Sequence, residues 1–209
     1  MEKLDIPRKT VYRLSLYQRC LQKLLDKGVD TVSSEGLAGE AGVKPTQLRK
    51  DLGYVGQVGT RGLGYGVATL SEAISGIMGT SHILQPVVLV GIGNLGAALL
   101  RYSGFRKEGF EIIAAFDADT EHAKLTTEEM GVPVFPSDRL GDYVRKHDVK
   151  MAIIAVPEKA GQEVAETLVA ANVTALLNFS PARLTVPEGV VVNQVDLAAE
   201  LSSLAFFAS

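Results

Sequence analysis

Residues 87–104 read VVLVGIGNLGAALLRYSG. A short apolar run ends in Gly91-Ile92-Gly93-Asn94-Leu95-Gly96, and the residues after it take up a helical pattern. A lone GxGxxG is a weak signal. Placed between a strand and the helix that follows it, the motif marks the first turn of a dinucleotide-binding fold. The glycines let the main chain come close to a pyrophosphate, and the N–H groups at the helix start favour negative charge there. EIIAAFD, residues 111–117, ends in Asp117 about 20 residues past the loop, the spacing at which a carboxylate accepts hydrogen bonds from ribose hydroxyls. An acidic group there repels a 2'-phosphate, which favours NAD(H) over NADP(H). SAM, FAD and CoA sites on the same fold remain alternatives.

Downstream, VPVF, MAIIAVP, TALLNF and VVVNQV continue the pattern of short apolar runs separated by helical stretches. Fully apolar strands alternating with helices predict a parallel sheet covered on both faces, a doubly wound α/β fold. Ligands on such sheets bind at the C-terminal strand ends. Val156-Pro157 and Asn178-Phe179-Ser180 therefore join the glycine loop as candidate cofactor contacts, although both segments are also ordinary turn chemistry. The last stretch, DLAAELSSLAFFAS (196–209), predicts a helix capped by Asp196. Leu197, Leu201, Leu204 and Phe207 form its stripe, widened by Phe206. So apolar a helix must be covered, by its own sheet or by a partner subunit.

Upstream the sequence changes character. RKTVYRLSLYQRCLQKLLDKG predicts a helix with Val11, Leu14, Tyr17, Leu21, Leu24 and Leu25 on one stripe, Gly28 as its stop, and Arg13 and Arg19 off the stripe as solvated charges. Ser33 or Ser34 can cap a second helix, EGLAGEA; Gly42-Val43 turns into a third, opened by Pro45. On that third helix Leu48 and Leu52 point inward and leave Thr46, Gln47, Arg49 and Lys50 outward, with Lys44 at its start. This is the layout of a recognition helix in the major groove, although an ordinary helical hairpin shares it. GYVGQVGTRGLGYG follows, with six glycines around Arg61. Val58, Leu63, Tyr65 and Val67 supply the edges of a short hairpin, a wing whose Arg61 suits a narrow minor groove. Residues 70–78 predict a closing helix, and GTSHILQP a linker.

Charge divides along the same line. The net charge of −3 splits into +3 for residues 1–80 (11 Lys+Arg, 8 Asp+Glu) and −6 for the rest (10 and 16), which suggests two domains with different partners. No apolar run approaches 18 residues and MEKLDIPRK lacks a leader layout, so the expected location is cytoplasmic, with no membrane partner. The single Cys20 cannot form an internal disulfide and falls in an amphipathic pattern, as a packed core thiol. No metal-ligand spacing stands out. A dehydrogenase needs an acid or base beside the nicotinamide; His82, His122 and His147 each read as exposed, and no substrate domain is expected after the sixth strand. That favours a sensor over the alternative, an NAD-dependent oxidoreductase with an N-terminal helical extension.

The whole chain resembles the Rex family of bacterial redox-sensing transcriptional repressors. The resemblance is carried by SSEGLAGEAGVKPTQLRKDLGYVGQVGTRGLGYGV, VGIGNLGAALLRYSGF, AFD, IIAVP, LLNFSPARL and VVVNQVDLAAEL in that order. It implies a winged helix-turn-helix domain (1–80), a Rossmann NAD(H)-binding domain (81–195) and a C-terminal dimerisation helix (196–209) exchanged between subunits. It implies a homodimer that binds palindromic operator DNA when NADH/NAD+ is low and is released by NADH, without catalysis. Carried onto this sequence, the phosphate loop is Gly91 to Gly96, the ribose acid is Asp117, and the switch residues are Tyr102, Arg19 and Asp196.

Overall fold

The computed structural model describes residues 6–60, 62–79, 84–121, 123 and 131–208. The chain divides into two compact units, Met1–Ile83 and Leu84–Ser209.

In the first unit, α1 (Arg8–Asp26), α2 (Ser34–Glu40), α3 (Pro45–Leu52) and α4 (Val67–Met78) surround one core. Leu14, Tyr17, Cys20, Leu21, Leu37, Leu48, Leu52, Val67, Leu70 and Ile74 are all buried in it. Cys20 is a core thiol, and burial pushes its pKa up. Ser33 caps α2, its Oγ accepting the Gly36 N–H at 3.0 Å, and Pro45 opens α3 where its missing N–H costs nothing. Three very short strands, β1 (Thr31–Val32), β2 (Gly59–Thr60) and β3 (Gly64–Gly66), form an antiparallel sheet in the order β1-β3-β2. The hairpin of β2 and β3 is the wing. Its edges differ from the sequence expectation: Val67 is buried as the first residue of α4, and β1, too short for any periodicity, pairs with β3. Gly64 has φ +87, and a Cβ there would collide with the Val32 carbonyl oxygen, so only glycine lets β3 lie against β1. Val11 is exposed, and buried Thr10 takes the inward position on α1.

The second unit is a six-stranded parallel sheet. Its strands are β4 (Gln85–Val90), β5 (Phe110–Asp117), β6 (Val134–Pro136), β7 (Met151–Ile154), β8 (Ala175–Asn178) and β9 (Val191–Gln194). The order β6-β5-β4-β7-β8-β9 is that of the Rossmann fold, with the switch in direction between β4 and β7. Gln85 and Pro86, expected in the linker, begin β4. The helices are α5 (Asn94–Arg101), α6 (Gly104–Lys107), α7 (Leu140–Lys146), α8 (Glu158–Ala170) and α9 (Leu197–Ala208). Separate clusters cover the two sheet faces. One contains Val88, Val90, Phe116, Leu140, Ile154 and Leu168; the other contains Val87, Leu89, Ile92, Ala97 and Ile153.

Candidate functional site

The glycine loop is built by close packing. Gly91 has φ +96 and its N–H donates to the Phe116 carbonyl at 2.8 Å; a Cβ there would lie 2.6 Å from the Ala155 oxygen. A Cβ on Gly96 would collide with the Gly91 carbonyl oxygen. Gly93, at the N-cap of α5, is the opposite case, for a Cβ there would meet nothing within 4 Å. Two glycines thus close the turn and the third leaves open space at a helix N-terminus, where N–H groups favour an anion. Asn94 and Leu95 begin α5 at this opening. Asp117 ends β5 beside it: one carboxylate oxygen accepts the Ile92 N–H at 2.6 Å and the other accepts the Asp119 N–H at 2.9 Å. The carboxylate is therefore fixed against the loop. These features fit a dinucleotide, with the pyrophosphate at the loop and a ribose at Asp117.

Around the same sheet edge the candidates separate. Pro157 is the exposed N-cap of α8 and Val156 is half-buried; Phe179 is half-buried as well. The side chains of Asn178 and Ser180 are buried. Asn178 is fully buried, its Nδ2 donating to the Ser180 and Ala182 carbonyls and to Gln194 Oε1, while its Oδ1 accepts the Ser180 N–H. Ser180 Oγ accepts the Ala182 N–H at 3.3 Å. A polar pair after an apolar strand reads as ligand-facing in sequence; here it closes the loop after β8 and ties it to β9. Tyr102, at the end of α5, is 60% exposed and packs edge-on against Phe105. His147 stacks on Tyr143 with ring centroids 4.2 Å apart, whereas His82 and His122 lie outside the described residues.

Asp196 caps α9, its Oδ1 accepting the N–H groups of Ala198 and Ala199 at 3.0 and 2.9 Å. Beyond it, Leu197, Leu201, Leu204, Phe206 and Phe207 are all between 59% and 79% exposed, and α9 has no buried residue. A helix that exposes five large apolar side chains to water is an interaction surface.

On the first unit, Lys44, Thr46, Arg49 and Lys50 are exposed along α3. Arg49 meets Glu35 of α2 at 3.3 Å, in a pair exposed enough to be worth little. The end of α3, the start of α2 and the wing bound a groove of about 780 Å³. Leu63 stands 74% exposed on the wing, and Arg61 lies outside the described residues. Arg19 is exposed on α1.

Sequence reasoning missed the centre of this unit, Asp51. Only 1% exposed, it accepts from Arg13 Nε at 2.6 Å and Arg13 Nη2 at 2.7 Å, from Tyr17 Oη at 2.8 Å, from Gln47 Nε2 at 2.9 Å and from Thr10 Oγ1 at 3.2 Å. Burial alone would raise its pKa, but the hydrogen bonds from Arg13, Tyr17 and Gln47 outweigh it and hold the carboxyl below its ordinary value. Tyr17 is pushed well up, by burial first and then by its bond to Asp51; Arg13 is raised chiefly by that same carboxylate. Arg13 is thus a structural cation and not a solvated one. Gln47 is only half-buried, its amide nitrogen turned back to Asp51.

Among the described residues, no helix is long and apolar enough to cross a membrane, and no group of three His, Cys, Asp or Glu could hold a metal ion. Two family models match the chain: "Putative DNA-binding protein N-terminus" over residues 5–53 and "CoA binding domain" over residues 83–182. The redox-sensing transcriptional repressor Rex of Streptomyces avermitilis is 49% identical over 201 residues, 96% of this chain and 79% of that protein. Rex of Desulfitobacterium hafniense is 46% identical over 206 residues, 99% of this chain and 97% of that protein. Among solved structures, RSP in complex with β-NAD+ and operator DNA has a TM-score of 0.88 at 30% identity, covering 99% of this chain and 94% of that one. RSP with β-NADH has a TM-score of 0.83 at 29% identity, with 99% and 95% covered.

Proposed function

The chain belongs to the Rex family of redox-sensing transcriptional repressors, and from that premise we propose how its own residues carry the function. It is a repressor that binds operator DNA and answers to NADH and NAD+, and it is not an oxidoreductase. The observation that carries this reading is the union, in one chain, of a winged helix with a glycine loop and sheet-end aspartate that fit a dinucleotide.

Residues 1–80 form the DNA-binding part. Thr46 and Lys50 reach into the major groove, Lys44 and Arg49 flank them, and Arg61 at the wing enters the minor groove. Residues 81–195 bind NAD(H) through Gly91–Gly96 and Asp117. Val156, Pro157 and Phe179 line the rest of the site, with Asn178 and Ser180 shaping it from within. Residues 196–209 join two subunits: α9, wholly exposed in the single chain, crosses to a second copy and closes its pocket near Tyr102. The repressor is then a homodimer suited to a palindromic operator. Its place is the cytoplasm, where that DNA is.

Charge supplies the discrimination. Oxidised nicotinamide is a cation and the reduced ring is neutral, so an apolar pocket closed by α9 favours NADH by avoiding an unpaired buried charge. A differential affinity of about 2–3 kcal/mol for two dimer arrangements changes operator occupancy by one to two orders of magnitude. Asp196 and Arg19 of opposite subunits pair in the released arrangement. Asp196→Ala is expected to bind operator without NADH and to respond poorly when NADH is added, in a mobility-shift titration. Release at the parental NADH concentration would refute this coupling.

A further inference from the structure

We propose that Gly104 is a positioning residue for cofactor sensing: the Tyr102 ring is seated in the space that its missing side chain leaves, and a methyl group there would displace the ring. The proposal rests on the reading of Tyr102 as a border of the NAD(H) pocket. Tyr102 is the C-cap of α5, and α6 opens two residues later at Gly104. A tyrosine 60% exposed at a helix end ordinarily samples several rotamers. This one is held on two sides. Its ring meets Phe105 edge-on, with centroids 5.1 Å apart and planes at 85°. It also fills the place of a Gly104 side chain, for a Cβ there would collide with Cε1, Cζ and Oη of the ring.

The two supports differ in kind. Phe105 is half-buried and packs on the cluster that contains Leu89, Ile92 and Ala97, so the core fixes its ring. Gly104 contributes only the lack of a side chain. Its backbone does not need glycine: it begins α6 and is not among the glycines with positive φ. In a helix alanine is preferred to glycine. The three atoms nearest to a Cβ at this position all belong to Tyr102. Folding therefore does not call for glycine here, and the ring does.

The atoms that collide are the far end of an exposed side chain, which is free to swing into water. Gly104→Ala is thus relieved by moving Tyr102, with little loss of stability, and the effect falls on binding. A ring already seated loses little rotamer freedom when a nicotinamide arrives, whereas a displaced ring has to be ordered by the cofactor itself.

The test is isothermal titration with NADH on four forms of the full chain: the parent, Gly104→Ala, Tyr102→Ala and the double variant, with thermal unfolding as the control. In the parent background Gly104→Ala is expected to weaken NADH binding about two- to tenfold, the range for ordering one side chain. In the Tyr102→Ala background there is no ring to displace, and the same change is expected to alter affinity by less than about twofold, as for independent sites. Its melting temperature is expected not to fall. Parental NADH affinity in Gly104→Ala, while Tyr102→Ala binds weakly, would overturn the proposal and leave the reading of Tyr102 intact. Equal weakening in both backgrounds would overturn it as well, because Gly104 would then act without the ring. If Tyr102→Ala binds NADH as the parent does, Tyr102 does not border the pocket, and the proposal falls with that reading. Should Gly104→Ala melt early, Phe105→Leu decides. It keeps an apolar side chain in the core and loosens the same ring from its other side, so it should weaken NADH binding about two- to tenfold in the parent, the worth of one aromatic pair, and not in Tyr102→Ala. No weakening in the parent, or the same weakening in both backgrounds, overturns the proposal.

Discussion

Each unit of the chain turns on an aspartate, and the two are used in opposite ways. Asp51 is shut inside the winged helix, where four side chains from two helices donate to it. Asp117 stands half-buried at the end of a sheet strand and is held by two backbone N–H groups of neighbouring loops. The first carboxylate has its acceptor capacity consumed by the protein and fixes how α3 sits on α1. The second is oriented by main chain at the end of β5, where we place the ribose of the cofactor. A carboxylate at a functional site is thus distinguished less by its burial than by what holds it.

The largest effect expected from this contrast is on stability. Asp51→Ala strands the Arg13 charge and the Tyr17 hydroxyl, and should cost about 3–5 kcal/mol, the range for breaking one side of a buried pair. Urea unfolding followed by tyrosine signal would measure it, with NADH affinity of the second unit unchanged. A cost below about 1 kcal/mol, that of a surface pair, would break the comparison.

Asp117→Ala should act in the other currency, binding. It is expected to lower NADH affinity by about tenfold, a loss of about 1.4 kcal/mol, and to narrow the preference over NADPH, by isothermal titration. A parent that binds NADPH as well as NADH would show that Asp117 does not face the ribose.

The smallest effect is on acid sensitivity. Because the folded pKa of Asp51 lies below its unfolded value, near 3.9 for a model aspartate, the stability it contributes is fully present above that value and is lost as pH falls through the folded pKa. Asp51→Asn should flatten the stability of the first unit below about pH 4, in circular dichroism against pH; an unchanged slope would assign the acid transition to other groups.

The same contrast explains what could be read from sequence. The glycine loop, Asp117, the Ser33 cap, Pro45 and the Asp196 cap all lie within a few residues of the backbone groups they serve, or at a spacing set by one strand-turn-helix unit. They were legible for that reason. The Arg13–Asp51 pair joins residues 38 apart on two helices, and no local period announces it. Gln47 and Asp51 are one turn apart, which was visible, but the inward pull on the amide depends on a carboxylate whose burial was not. Asn178 and Ser180 show the related point that polar residues at a strand end can serve a loop as well as a ligand: the bond from Asn178 to Gln194 of β9 joins elements 16 residues apart, which no local pattern announces. The strand Thr31–Val32 is too short to carry a pattern.

The central claim, that cofactor redox state sets operator occupancy without turnover, is tested most directly by titrating an operator complex with NADH at fixed salt and fixed NAD+, while following bound DNA and NADH absorbance together. The account predicts that rising NADH/NAD+ releases the DNA while every NADH added is recovered unoxidised. Operator occupancy indifferent to the ratio, or NADH consumed as the DNA is released, would contradict it.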